Sequence, residues 1–344
     1  MTQRLQHALD DVTRRYSEAG YFPSACVRVF DSYETLAVST CGEATQDALF
    51  DVASLTKLAT ATQILHLISC GTLSLAMTLP ELFPEIQQDP VLAARCRDIS
   101  LYCLLTHTSS LPAWYPFYVH KGEDFFTVFR KALDFEGTTE GVVYSDLNFM
   151  LLGRLLVQVR KKPLEDCLRE DLVEPLQLGK MTYLPRTGTI IPSCMGNPIE
   201  TQMVRDRGLT FDGFRPLGMP VVGSVNDGNS HYYFGDVAGH AGIFATAHAY
   251  EKLCRYYMRT QDALLLTAQA EQPDAPGRGL GFQTGISYPY GCGHTGFTGT
   301  SVYFSREKNI GAVIFTNRLF YPVSNPHPTG DFRRVVHEMV CALA

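Results

Sequence analysis

The chain has 344 residues, of which 45% are hydrophobic and 19% charged, with a formal net charge of −6. That length and composition allow one large domain or two intimate ones around a sizeable core. The acidic balance argues against binding a nucleic-acid backbone, which needs a basic face, and no apolar run is long enough to span a membrane.

The first stretch, MTQRLQHALDDVTRRYSEAGYFPS, lacks the apolar core of a signal peptide and reads as an amphipathic helix ending near Gly20. The chain as written is therefore expected to be soluble and cytoplasmic, or extracytoplasmic if a leader has been removed. SACVRVF (24–30) and ETLAVSTCG (34–42) read as a strand pair turning at Asp31, Ser32 and Tyr33. In DVASLTKLATATQILHLISCG (51–71), Ile64, Leu65, Leu67 and Ile68 recur at near-helical spacing, which predicts a helix from Leu58 stopped by Gly71. Short helical and irregular pieces follow in TLPELFPEI, ISLYCLLTHTSSLPAWYPFY and EDFFTVFRKALDF. SDLNFMLLGRLLVQVRKK is an amphipathic helix with Ser145 at its N-cap and Leu147, Leu151, Leu155 and Val159 on one face. PLEDCLREDLVEPLQL is a further helix ending around Pro175. Residues 187–235, rich in Gly, Pro and Asn, read as long loops. AHAYEKLCRYYMRT is helical. From Gly279 the pattern is β, in GFQTGISY, CGHTGF, TSVYFS and IGAVIFTN, and a helix from Asp331 to Leu343 closes the chain.

This order predicts an α+β fold: one antiparallel sheet built from both chain ends and flanked by helices, with a mainly helical region inserted. We expect a single catalytic domain over 1–344, with 1–60 plus 200–344 as its α/β part and 61–199 as its helical part. Clustered polar residues would meet in the cleft between them.

Three constellations carry the chemistry. Ser54-Leu55-Thr56-Lys57 sets a serine and a lysine three apart at a helix start, where Cβ atoms on one face lie about 5–6 Å apart. Lys57 can then reach the Ser54 hydroxyl. The bland alternative is that Ser54 only caps the helix. A second copy of the spacing, Ser305-Arg306-Glu307-Lys308, falls between two strand-like runs and reads as a hairpin turn. Tyr144 stands just before a helix in VVYSDLNF, and His294-Thr295-Gly296 lies at the edge of a strand. The ten cysteines have no paired spacing and the ten histidines no ligand spacing, so free thiols and neither metal nor cofactor are expected.

Together these three motifs resemble those of the serine β-lactamase-like superfamily, in the class C branch of β-lactamases, D,D-carboxypeptidases, D-aminopeptidases and carboxylesterases. LLTHTSSLPAW (104–114), with Ser110 for the family's Gly, and DVAGHAGIFATA (236–247) are similar to further family segments. The resemblance runs from about Ala25 to Val340. It implies a β-lactamase/transpeptidase-like fold, with Ser54 as the acylated nucleophile and Lys57 and Tyr144 supplying the base, in a division the sequence leaves open. It also implies an oxyanion hole at the N–H groups of Ser54 and Phe297, with His294, Thr295 and Gly296 beside the substrate. Where the family has Tyr-x-Asn, this chain has Tyr144-Ser145-Asp146, and Asp146 has no amide to donate. Asn148 is two residues out of register. His107 and His240 read as loop-positioning residues, and Trp114 as cleft or core. The expected function is a serine acyl hydrolase acting on small esters, amides or peptides. The alternatives are a D,D-carboxypeptidase, a weak β-lactamase, or a non-catalytic penicillin-binding sensor. Oligomeric state is left open.

Overall fold

The computed structural model describes residues 2–321 and 327–342. Eight helices and five strands frame the site. They are α1 (Thr2–Glu18), β1 (Ala25–Phe30), β2 (Thr35–Cys41), α2 (Thr56–Ser69), α3 (Leu101–Thr106), α4 (Phe125–Glu136), α5 (Asp146–Arg160), α6 (Pro198–Asp206), α7 (Ala247–Arg259), β3 (Cys292–Thr295), β4 (Ser301–Ser305), β5 (Ile310–Thr316) and α8 (Thr329–Cys341). The strands form one antiparallel sheet in the order β2-β1-β5-β4-β3, so both chain ends contribute to it, as the sequence pattern predicts.

Alternation along the buried central strand β1 sorts its side chains onto two layers. Ala25, Val27 and Val29 face α1 and α8, where they pack with Leu5, Leu9, Val12, Phe332 and Val336. Cys26 and Phe30 face the larger core shared with α2, α5 and α7. Each large apolar side chain buried this way contributes about 1.5–3 kcal/mol. Arg28 on the same strand is also buried; it pairs with Glu251 of α7, which Arg255 also holds at 2.8 Å. Among the described residues, no helix is long and apolar enough to cross a membrane.

Three sequence expectations are corrected. GFQTGISY (281–288) is not a strand: Gly281 and Gly285 take positive φ (85° and 90°), and only Gln283 bridges to Gly293. Such dihedrals interrupt a ladder. The stretch 187–235 is not all loop, because α6 starts at Pro198, a residue suited to a first helical turn, and Cys194–Met195 pairs with Pro220–Val221. The helix after Lys162 is regular only over Leu164–Leu168 and widens over Arg169–Val173. The closing helix is seen over Thr329–Cys341; Leu343 lies outside the described residues. Ser305 ends β4 and accepts from the Lys308 N–H at 3.1 Å, which is the hairpin turn expected of the second copy of the spacing.

Candidate active site

Ser54 lies on a single tight turn, Ala53–Leu55, between the two-residue strand Phe50–Asp51 and α2. The α2 N-cap position is Leu55, with no side-chain cap, so Ser54 is not a capping residue. Ala53 has φ 49°, an unfavourable region for a residue with a Cβ. Neighbouring groups fix this turn. The Asp51 carboxylate accepts the Ala53 N–H at 2.9 Å and the Asn226 N–H at 2.7 Å. Burial pushes the Asp51 pKa up to about 6 against those two bonds. The hydroxyls of Thr298 and Thr300 donate to the carbonyls of Asp51 and Val52, both at 2.8 Å. Ala53 and Leu55 are buried, and Ser54 between them is partly exposed.

Lys57, on the first turn of α2, is fully buried. Its Nζ donates to Ser54 Oγ at 2.9 Å, Asp146 Oδ1 at 2.7 Å and the His240 carbonyl at 3.1 Å. Three acceptors meet the three protons of an ammonium group. Burial alone would lower the Lys57 pKa, but the Asp146 carboxylate and Tyr144 outweigh it and the net shift is upward.

Tyr144 is separated from Asp146, the first residue of α5, by the N-cap Ser145, and its ring centroid is 4.9 Å from Lys57 Nζ. Burial raises its pKa; the Lys57 ammonium opposes this and Asp146 adds to it. Its seat is set by His107, at the left-handed end of α3 (φ 59°). His107 Nδ1 accepts the Ser145 N–H at 3.1 Å and lies 3.2 Å from Asn148 Nδ2, and its ring packs 4.7 Å from that of Tyr144. Burial, then the Arg278 and Lys57 charges, push the His107 pKa well down, which keeps Nδ1 an acceptor. Asn148 is fully buried: its Nδ2 donates to Leu104 O at 3.2 Å and its Oδ1 accepts the Ser109 hydroxyl at 2.7 Å. Ser145 occupies the N-cap position of α5, but its hydroxyl donates to Pro112 O rather than to the helix.

On the opposite wall, Gly296 closes tightly on the nucleophile turn. A Cβ there would meet Thr300 Oγ1 at 2.1 Å and Val52 O at 2.5 Å. The Gly296 N–H donates to Thr300 O at 2.7 Å, and Arg333 holds the carbonyls of both residues. Phe297 is 45% exposed; among the described residues neither its N–H nor that of Ser54 donates to a protein acceptor. Thr295 Oγ1 lies 3.4 Å from Gln283 Oε1. His294 is buried and its Nδ1 donates to Thr295 O at 2.8 Å. Burial and the Lys57 charge push its pKa well down. It is therefore a neutral imidazole at pH 7.

A further cation at the site is Arg278, which the sequence reading missed. It sits in a Gly- and Pro-rich loop with no periodicity to single it out. Its guanidinium lies 5.2 Å from the Tyr144 ring centroid and forms no ion pair or side-chain hydrogen bond among the described residues. Asp51, Thr298 and Thr300 were missed as well; the threonines flank Gly299 just beyond His294-Thr295-Gly296. His240, read as positioning, is buried, and its Nε2 lies 2.9 Å from Asp227 Oδ1. Trp114 is core, packed with Tyr118, Val204 and Tyr232.

Residues 9–330 match the family model described as Beta-lactamase. An N-acetylmuramyl-L-alanine amidase of Bacillus subtilis (strain 168) is 26% identical over 331 residues, covering 84% of this chain and 74% of that protein. A putative D-alanyl-D-alanine carboxypeptidase of Salmonella agona is 24% identical over 315 residues, covering 82% and 72%. The crystal structure of a beta-lactamase from Sulfitobacter sp. EE-36 superposes with a TM-score of 0.73 at 16% identity, covering 100% of this chain and 98% of that one. With the family model spanning nearly its whole length, this chain belongs to the beta-lactamase family.

Proposed function

We propose that the protein is a serine acyl hydrolase in which Ser54 forms an acyl-enzyme with small esters or amides. The observation that carries this is the 2.9 Å contact between Lys57 Nζ and Ser54 Oγ on a buttressed turn. A serine hydroxyl is a poor nucleophile without a base. Because Lys57 is held as an ammonium by three acceptors, the base we assign is the Tyr144 phenolate. The Ser54 proton passes to Tyr144 as Oγ attacks the substrate carbonyl carbon. Tyr144 then returns that proton to the leaving group. Water repeats the sequence in reverse to release the acid. The free N–H groups of Ser54 and Phe297 suit the oxyanion, where each such donor is worth roughly 100–1000-fold in rate.

Arg278 favours substrates whose leaving group carries a carboxylate, since a guanidinium fork without an anion matches one in charge and shape. The names of the two curated relatives, an amidase and a carboxypeptidase, support an acyl substrate of peptide type. The test compares a D-alanyl depsipeptide bearing a free carboxylate with its methyl ester. Wild type should prefer the free acid, and Arg278→Gln should abolish the preference by raising KM for the acid alone. Equal kcat/KM for the two substrates in wild type would remove the carboxylate requirement. No turnover of any ester or amide would remove the hydrolase reading.

A further inference from the structure

We infer that a cavity behind α5 is a second ligand site, for a small carboxylate with an apolar body. This site is independent of the acyl-transfer reading. The cavity measures about 310 Å³ and lies between α5 and the segment leading to His240, with Met150, Arg154, Val157, Phe234 and Gly239 in its wall. That volume is at the small end of ligand pockets, which start near 300 Å³.

Arg154 is the reason to expect an anion. The guanidinium of Arg154 lies over two rings of α4, 4.7 Å from the Phe125 centroid and 5.3 Å from that of Phe126. Its Nε is buried with no hydrogen-bond partner, and the side chain has no ion pair among the described residues. Other partly buried arginines on helices have partners: Arg130 pairs with Asp89, Arg160 with Asp171 and Arg255 with Glu251, and Arg333 donates to the Gly296 and Thr300 carbonyls. An unsatisfied buried donor is costly, and a guanidinium fork is satisfied best by a carboxylate. The remaining wall is mostly apolar and suits a hydrocarbon body. Exposed Glu85 also lines the cavity, which disfavours a dianion.

The wall is shared with the candidate active site through the Gly239–His240 backbone. A Cβ on Gly153 would meet Gly239 N at 2.7 Å, so α5 and the Gly239 backbone are in direct contact. The Gly239 carbonyl accepts the Thr60 hydroxyl at 2.7 Å, and the next carbonyl, that of His240, accepts from Lys57. Binding must therefore be read at the cavity itself, not through activity.

The probe is hexanoate, with hexanamide as its neutral counterpart, titrated into protein labelled at the methionine methyls. The Met150 resonance, assigned with Met150→Leu, reports the cavity. Hexanoate should shift it saturably, and hexanamide should bind more weakly by about tenfold or more. Arg154→Gln should weaken hexanoate to the level of hexanamide, and Arg278→Gln should leave the Met150 titration unchanged. If Arg154→Gln does not fold, Arg154→Lys, which keeps the charge without the fork, should still weaken hexanoate relative to wild type. Equal affinity for the two probes, no saturable shift at Met150, or a shift lost in Arg278→Gln instead would overturn the assignment.

Discussion

Lys57 Nζ and Asp146 Oδ1 are 2.7 Å apart, a buried ammonium meeting a carboxylate at the first residue of α5. The pair joins the helix that follows Ser54 to the helix that follows Tyr144, and it sets the protonation state of the site. With Asp146 in place, Lys57 keeps its proton and Tyr144 holds its proton more tightly than a free phenol does. The reactive state has one proton fewer, so kcat/KM should rise toward alkaline pH.

Replacing Asp146 by Asn removes the charge and keeps the size. Burial then pulls the Lys57 pKa down, and the Tyr144 pKa falls with loss of the nearby negative charge. Both changes make the deprotonated state accessible at lower pH. The basic limb of the kcat/KM profile should move down by about half a pH unit or more, given that one unit corresponds to about 1.4 kcal/mol. Profiles that superimpose for wild type and Asp146→Asn would contradict this role.

Substrate preference follows from the same residue. Asp146 accepts from Lys57 and has no amide to offer a substrate carbonyl, and the buried Asn148 amide already donates to Leu104 O. Short-chain p-nitrophenyl esters should therefore be turned over with higher kcat/KM than nitrocefin. A β-lactam value above that of every ester tested would refute this.

His107 should act as a positioning residue for Tyr144. His107→Leu removes the acceptor for the Ser145 N–H and frees the Tyr144 backbone to shift. A displacement on the order of 1 Å at a reacting group costs up to about 100-fold, so kcat should fall at least tenfold while KM changes little. His107→Asn, which restores an acceptor, should recover part of the loss. A purely structural role would lower the melting temperature and leave kcat per folded molecule unchanged.

Stability rests partly on Glu251, fully buried between Arg28 and Arg255 and accepting the Thr35 hydroxyl at 2.6 Å. Glu251→Ala leaves two cations unneutralised beneath the sheet and should cost about 3–5 kcal/mol. Denaturant unfolding checks this; a loss below about 1 kcal/mol, the range of exposed pairs, would mean that the pair is solvated.

How far the sequence carried depended on the range of each interaction. The sheet strands alternate or run apolar over short windows, so SACVRVF and ETLAVSTCG read as a strand pair and IGAVIFTN as a further strand of the same sheet, while the pairing of SACVRVF with IGAVIFTN is seen only in the fold. Ser54, Lys57 and Tyr144 were legible because their spacing and neighbours form a pattern. Arg278 was not, because nothing local distinguishes a loop arginine that stacks on a ring from one in solvent. The direction of the Asp146 side chain was equally hidden, since a first-turn aspartate is favoured by the helix dipole alone. The charge of His294 was hidden too, since its burial beside Lys57, which pushes its pKa well down, is set by the fold. GFQTGISY misled because two glycines with positive φ interrupt an otherwise strand-like run.

The most direct test of the central claim is intact-mass analysis after reaction with a fluorophosphonate probe. Wild type should gain one adduct, which peptide mapping should place on Ser54, and Ser54→Ala should gain none. Persistence of the adduct in Ser54→Ala, or its mapping to Ser305, would contradict the account.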